Sequence, residues 1–309
     1  MASRSERVLV TGAGGFTGRH LCAHLRERGY RVFGLTEPLP GQADGHEDEI
    51  QADLLDTAAM AAAVGATAPD FVVHLAAIAF PGHAHSDVVY RVNLMGTLVL
   101  LESLAAAGAG RKGVLLPSTG TVYGSVESDA LAETAPVAPA THYAVSKLAM
   151  EHMASLFGRT LPIIIVRPFN YTGPGQREPY LVPKIVRHFA ERAEFIELGN
   201  VDVVRDFLDV RTVVDVYRRL LTEPAAAGQT FNLCSGNGIA IRDVVTQLER
   251  ITGRSMAIRV NPQFVRAGEA RRIVGSSAKL RAVIGEPLSV PFATTLAEML
   301  SDLESSIPN

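Results

Sequence analysis

The chain is short of several things, and each shortage closes a class of protein. Two cysteines, Cys22 and Cys234, in 309 residues have neither the number nor the spacing of a disulfide framework or a zinc site, and they fit a reducing cytoplasm. Basic excess is lacking: a formal charge of -3 and a pI near 6.3 give no field for nucleic-acid phosphates or an anionic membrane surface. No uncharged apolar run approaches the roughly 18 to 20 residues of a membrane helix. Residues 1–7 are polar and lead straight into an apolar stretch, so no signal-peptide core is expected there. Internal repeats are absent. These shortages predict a soluble, cytoplasmic protein with no nucleic-acid or membrane partner, in which any phosphate binding is local.

What remains is an ordinary globular composition, 47% hydrophobic and 20% charged, with a regular alternation. Short β-rich apolar runs at 8–11, 31–35, 71–75, 114–117 and 163–166 are separated by helical stretches, including 15–29, 87–107 and 143–158. That rhythm predicts an α/β fold with a doubly wound parallel sheet covered on both faces. The 87–107 stretch is rich in Leu and Ala on several sides, as expected of a helix buried against two neighbours or a partner subunit. After Arg167 the texture changes: Pro168, Gly173, Pro174, Gly175 and Pro179 read as a loop leaving the sheet. The expected division is a cofactor domain over 1–170 and a smaller, discontinuous α/β substrate lobe over 171–309, with segments near 205–215 and 229–236 rejoining the sheet. Helices are expected at 182–192 and 241–252.

The run Thr11-Gly12-Ala13-Gly14-Gly15-Phe16-Thr17-Gly18 lies between the first strand and the first helix. Glycines there allow a tight turn and let backbone N–H groups approach a pyrophosphate at a helix N-terminus, so the expected sheet is Rossmann-type and the expected ligand a dinucleotide, with an ordinary strand-to-helix turn as the alternative. Gly12, Gly15, Phe16, Thr17 and Gly18 are the expected cofactor contacts. Near the end of the second strand, Thr36 and Glu37 are candidates for the adenosine ribose, although Glu37 reads equally well as a solvated loop carboxylate. Asp53 and Leu54 follow a short segment and are candidates for the adenine, with a plain turn as the alternative.

Tyr143 and Lys147 are four apart in a helical stretch and therefore share one face. An ammonium beside a phenol favours the phenolate and is expected to bring the tyrosine towards a usable general-acid range. With seven tyrosines and four lysines in the chain, chance supplies such a pair roughly one time in ten. Tyr180 and Lys184 repeat the spacing, but Pro183 and the Gly/Pro-rich segment before them oppose a regular helix through both. Context favours the first pair. Ser118-Thr119-Gly120-Thr121-Val122-Tyr123-Gly124 follows a strand at the edge where such sheets present ligands, and Thr119 can donate to a substrate oxygen or simply cap a turn.

The glycine run, His74-Leu75-Ala76-Ala77, the Thr119 segment, Tyr143-x-x-x-Lys147 and Arg167-Pro168-Phe169-Asn170 resemble, in order and spacing, the extended short-chain dehydrogenase/reductases. The resemblance spans essentially the whole chain. It implies that Tyr143 is the acid/base, that Lys147 holds the nicotinamide ribose and lowers the tyrosine pKa, that Thr119 binds the sugar oxygen, and that Leu75, Ala76 and Ala77 line the cofactor. Asn93 matches a family asparagine, with helix packing an equal explanation. Arg167 to Gln176, Val204-Arg205-Asp206-Phe207, Arg266-x-x-Glu269 and the 275–280 segment look like GDP-4-keto-6-deoxy-D-mannose reductases. Gly120, Asn170, Lys184, Arg205, Arg266 and Glu269 are then the expected substrate contacts beside Thr119. The arginines have forked donors for a diphosphate or nucleoside and, alternatively, are structural ion pairs.

Related 4,6-dehydratases carry an acidic residue directly after the catalytic Ser or Thr. Here Gly120 and Thr121 follow Thr119, which disfavours dehydration, and Thr121 also replaces an Asp expected in the reductases. The expectation is NADPH- or NADH-dependent reduction of a C4 ketone on a GDP-linked 4-keto-6-deoxy sugar. GDP-D-rhamnose and GDP-6-deoxy-D-talose are both open as products. A 4-epimerase with tightly bound NAD and a non-catalytic dinucleotide-binding scaffold are the alternatives. His83 and His85 are read as solvated, with no metal expected. The resemblance also implies a homodimer through helices near 94–107 and 143–157.

Overall fold

The computed structural model describes residues 5–37, 48–79, 85–126, 128–265 and 270–306. Its main sheet follows from the parity of the apolar strands. Val8, Val10, Phe71, Val73, Leu115, Ile164 and Val166 pack into one core cluster, and the intervening Leu9, Val72, Val114, Leu116, Ile163 and Ile165 pack into another. Successive side chains leave a strand on opposite sides, so strands apolar at every position need a cover on both faces.

In chain order the cofactor half comprises β1 (Arg7–Thr11), α1 (Phe16–Glu27), β2 (Arg31–Thr36), β3 (Glu49–Gln51), α2 (Thr57–Thr67) and β4 (Phe71–His74). There follow α3 (Ser86–Tyr90), a π-helical turn (Arg91–Gly96), α4 (Thr97–Ala107), β5 (Gly113–Pro117), a 3₁₀ turn (Gly120–Tyr123), α5 (His142–Ser155) and β6 (Ile163–Pro168). Asp56 caps α2 through the N–H groups of Ala58 and Ala59, and Thr141 caps α5 through Ala144 N, each satisfying first-turn donors. Ser86–Ala107 is one continuous helical path, long and apolar enough by length and composition to cross a membrane. Its composition is accounted for by packing, since it runs against α2 and α5.

The second half begins with β7 (Asn170–Thr172), α6 (Leu181–Ala190), β8 (Phe195–Leu198), β9 (Val204–Asp209), α7 (Val210–Leu221) and β10 (Thr230–Leu233). It continues with β11 (Gly238–Ala240), α8 (Ile241–Thr252), β12 (Ala257–Val260), β13 (Arg272–Ile273), α9 (Ala278–Ile284) and α10 (Phe292–Ser306). The seven-stranded sheet has the order β10-β6-β5-β4-β1-β2-β3, and every pairing in it is parallel.

The 205–215 segment, expected to rejoin this sheet, divides. β9 lies in the smaller sheet with β7, β11 and β13, and α7 alone returns to pack against α1, β5 and β6. Sequence explains the division. Val204, Arg205 and Leu208 in β9 are only partly buried, whereas α7 buries Val210, Val213, Val214, Val216, Tyr217, Leu220 and Leu221. A third core, built from α6, α8, α10 and the strands near them, closes the smaller lobe.

Candidate active site

Strand order reverses between β1 and β4, whose carboxyl ends open a crevice, the position where open α/β sheets bind ligands. Gly12 at the end of β1 has φ +68, and a Cβ there would stand 2.7 Å from Ala76 N. A Cβ on Gly18 would stand 2.6 Å from Ala13 O, so the turn closes only with glycine at these two positions. Gly15 caps α1 without any side-chain hydrogen bond, which leaves the first-turn N–H groups of Phe16 and Thr17 unclaimed by a side chain and suited to a phosphate. These residues fit a dinucleotide.

The other expected cofactor residues lie along the same edge. Leu75 N donates to Thr11 O and Ala76 N to the Thr11 hydroxyl, with Ala77 beside them after β4. Thr36 ends β2 and donates to Glu49 Oε1. Asp53 is exposed just beyond β3, where its Oδ1 accepts from Leu55 N. The Leu54 side chain is buried in the core, against Gly96.

Thr119 follows β5 and caps the 3₁₀ turn, accepting from Thr121 N at 3.1 Å and lying 3.0 Å from the Thr121 hydroxyl. Tyr143, the second residue of α5, stands close enough to Thr119 for that side chain to favour its phenolate. Lys147 follows one turn later and is 3% exposed. Burial lowers its ammonium to about 8, opposed by the carboxylate of Glu151. Contrary to expectation, the Tyr143 phenol is pushed up. Burial is the largest cause, the neighbouring phenols of Tyr171 and Tyr180 add to it, and the Thr119 side chain opposes it. Removing a phenolate from water decides the direction.

Tyr171 and Asp206 add to the expected set, and the family-matched Asn93 gains a structural role. Tyr171 OH lies 2.8 Å from the Thr17 hydroxyl, and its ring stacks on Phe16, tying the smaller sheet to the start of α1. Asp206 is fully buried and accepts from Ser235 N and Oγ, Gly236 N and Gly275 N, so one carboxylate fixes two loops at the crevice rim. Asn93 sits in the π turn, accepts from Ile78 N and donates to Ser146 Oγ, and Ser146 Oγ in turn donates to Tyr143 O. π turns often mark working sites, and this one anchors α5 beneath the phenol. Sequence carried a signal for both Tyr171 and Asp206, which lie in the Arg167 to Gln176 and Val204 to Phe207 motifs, but not for the loops that Asp206 holds.

The expected substrate residues are used in part by the protein itself. Gly120 leaves room for the Phe169 ring. Asn170 donates to Asp206 O, Lys184 donates to Glu197 O and lies over the Phe264 ring, and Arg205 donates to Val204 O and Ala270 O. The alternative Tyr180–Lys184 pair is not carried on one helix, since Tyr180 is the N-cap of α6. His83, Arg266 and Glu269 lie outside the described residues. His85 precedes α3 as its N-cap.

A dinucleotide cradle beside a hydroxyl, a phenol and a buried ammonium defines an NAD(P)-dependent oxidoreductase. The chain belongs to the NAD dependent epimerase/dehydratase family, which it matches over residues 8–234. It is 36% identical to GDP-6-deoxy-D-talose 4-dehydrogenase of Aggregatibacter actinomycetemcomitans, over 90% of this chain and 91% of that one. It is 35% identical to GDP-6-deoxy-D-mannose reductase of Pseudomonas aeruginosa, over 98% of this chain and 99% of that one. The structure of RMD from Pseudomonas aeruginosa complexed with NADPH superposes with a TM-score of 0.84 at 34% identity, covering 98% of this chain and 100% of that one.

Proposed function

We propose that the enzyme reduces the C4 ketone of a GDP-linked 4-keto-6-deoxy sugar, GDP-4-keto-6-deoxy-D-mannose, with NADPH or NADH. The carrying observation is the Thr119, Tyr143 and Lys147 group at the crevice mouth, with no carboxylate in the two positions after Thr119. The relatives support the sugar. 6-Deoxy-D-mannose and 6-deoxy-D-talose differ only at C4, so the two named relatives have one 4-keto sugar as their common oxidised form. GDP-D-rhamnose is the first product expected, and GDP-6-deoxy-D-talose the second, favoured by the 36% relative.

The nicotinamide supplies hydride to C4 when bound. Thr119 holds the ketone oxygen, and Tyr143 gives its proton to the alkoxide that forms there. The Lys147 ammonium lies one turn away and stabilises the phenolate left behind. Thr121 partners Thr119 with a neutral hydroxyl, so no fixed negative charge stands beside the developing one. Lys184, Arg205, Arg266 and Glu269 are assigned to the nucleotide end, with Asn170 and Gly120 nearer the sugar, and Asp53 and Thr36 are assigned to the adenosine of the cofactor.

We also assign 1–170 to the cofactor domain and 171–309 mainly to the substrate lobe. A homodimer through α3 to α5 is supported by the exposure of Met95 and Leu156 there. Both thiols are free and buried, in keeping with a cytoplasmic enzyme.

The test is oxidation of NADPH and NADH with freshly generated GDP-4-keto-6-deoxy-D-mannose, followed by NMR of the product. Stoichiometric oxidation is expected, and the C4 proton coupling names the epimer. Interconversion of two nucleotide sugars without net cofactor consumption would identify a 4-epimerase instead.

A further inference from the structure

Tyr143, Lys147 and Glu151 form an i, i+4, i+8 stripe on α5. A lysine and a glutamate one turn apart are the ordinary partners for a helical ion pair, and here both are almost fully enclosed. Glu151 nevertheless makes no bond to Lys147. Its Oε1 accepts from Arg167 Nε at 3.0 Å and its Oε2 from Arg167 Nη2 at 2.6 Å, with both side chains 9% exposed.

Arg167 is itself held from other directions. Its Nη1 donates to Tyr123 OH at 2.9 Å, and its guanidinium lies over the Tyr123 ring. Tyr123 OH donates to Asn232 Oδ1 at 2.7 Å, and Asn232 is fixed by Leu131 O and by the Glu133 carboxylate. Lys147, by contrast, makes no hydrogen bond or ion pair to another described residue. An enclosed ammonium beside an enclosed carboxylate would pair with it unless the carboxylate were already taken.

We propose that Arg167 is a positioning residue: by engaging both oxygens of Glu151 it denies Lys147 the ion pair one turn below and keeps its ammonium available to the crevice. The bidentate fork matters, because a lysine at 167 could hold one oxygen and leave the other free. Glu151 still acts on Lys147 through space; His74 of β4 also feels its charge, and the Tyr143 phenol lies one turn away on α5. The arrangement keeps one uncompensated positive charge beside Tyr143 and places the neutral Glu151–Arg167 pair behind it. The inference rests on Lys147 being the working lysine, but its test needs no substrate.

The chain has only four lysines, Lys112, Lys147, Lys184 and Lys279, so lysine labelled with ¹³C at Cε gives a readable NMR titration. The resonance lost in Lys147→Arg identifies the one of interest, expected to titrate at about 8 in the wild type. Arg167→Met releases Glu151, and the Lys147 midpoint should rise by about one pH unit or more. Glu151→Gln should lower it, and Arg167→Met combined with Glu151→Gln should bring it back below the Arg167→Met value. If Arg167→Met does not fold, Arg167→Lys replaces it, with a smaller rise expected from the single contact.

In kinetics, Arg167→Met should lose kcat while KM for the sugar is little changed, and the double variant should regain part of kcat. An unchanged or lowered Lys147 midpoint in the Arg167 variant overturns the proposal, as does a double variant no different from it. The proposed reaction can fail without touching this titration.

Discussion

Lowering the pH from 7 to 5 should destabilise the enzyme through one buried imidazole, by an amount that can be worked out. His74 is 2% exposed and lies in a single-file chain of hydrogen bonds. Thr97 spends its hydroxyl proton on Asn93 O at 2.8 Å, so His74 Nε2, 2.9 Å from the Thr97 oxygen, must be the donor there. His74 Nδ1 is then bare and accepts from the Thr11 hydroxyl at 2.7 Å, which in turn accepts from Ala76 N. A second proton on the ring would displace the Thr11 hydroxyl proton from this bond and would place a charge in a fully enclosed site. Burial, and then the charge of Lys147, lowers the His74 pKa from 6.5 to about 3.

A base held below its unfolded pKa contributes stability that is complete above 6.5 and is lost as the pH falls towards 3, because the unfolded chain takes up the proton first. Each pH unit in that window is worth about 1.4 kcal/mol per proton, which gives about 2 kcal/mol at pH 5. Urea unfolding at pH 7 and pH 5 measures it. His74→Gln should be less stable at pH 7 and should lose about 2 kcal/mol less than the wild type on going to pH 5. Equal losses in the two proteins would refute the argument.

Three further outcomes follow from the site and the core. Tyr143→Phe should lower turnover about 100-fold or more while the thermal midpoint changes little, as read from steady-state rates and calorimetry. Gly18→Ala should abolish measurable NADPH binding by titration calorimetry, since its Cβ meets the Ala13 carbonyl at 2.6 Å and the phosphate turn must open. Tyr217 is fully buried, and its hydroxyl has no hydrogen-bond partner among the described residues. Tyr217→Phe should therefore raise stability by about 1 kcal/mol in urea unfolding, and a loss of stability would reveal a partner for that hydroxyl.

Sequence carried the architecture where a local pattern suffices. The five strands read from apolar runs are all in the main sheet, because burial on both faces leaves a continuous hydrophobic signature. β3 escaped, since Glu49-Ile50-Gln51 has one apolar residue and is held at the edge by pairing with β2. Phe207 and Leu208 of β9 and Val210 of α7 look alike in one dimension. Only the partners decide that the strand stays outside and α7 returns.

At the site, spacing brought out Tyr143 and Lys147 and the strand end brought out Thr119. The direction of the Tyr143 shift was not legible, because desolvation depends on distant chain. The capture of Glu151 by Arg167 was not legible, because it depends on β6 packing beside α5.

The seven-stranded sheet is finished by a strand that arrives late. β10 pairs with β6 and buries Phe231 completely, yet about 65 residues separate the ends of the two strands. At ribosomal speeds of 5 to 20 residues per second, β6 would wait roughly 3 to 13 seconds for that neighbour. During this interval the nascent chain carries an apolar edge with unpaired N–H and C=O groups, the kind that recruits other strands. Expression of residues 1–170 alone should reproduce that intermediate as an aggregating fragment, and slowing translation of the segment between the two strands should lower the yield of native enzyme.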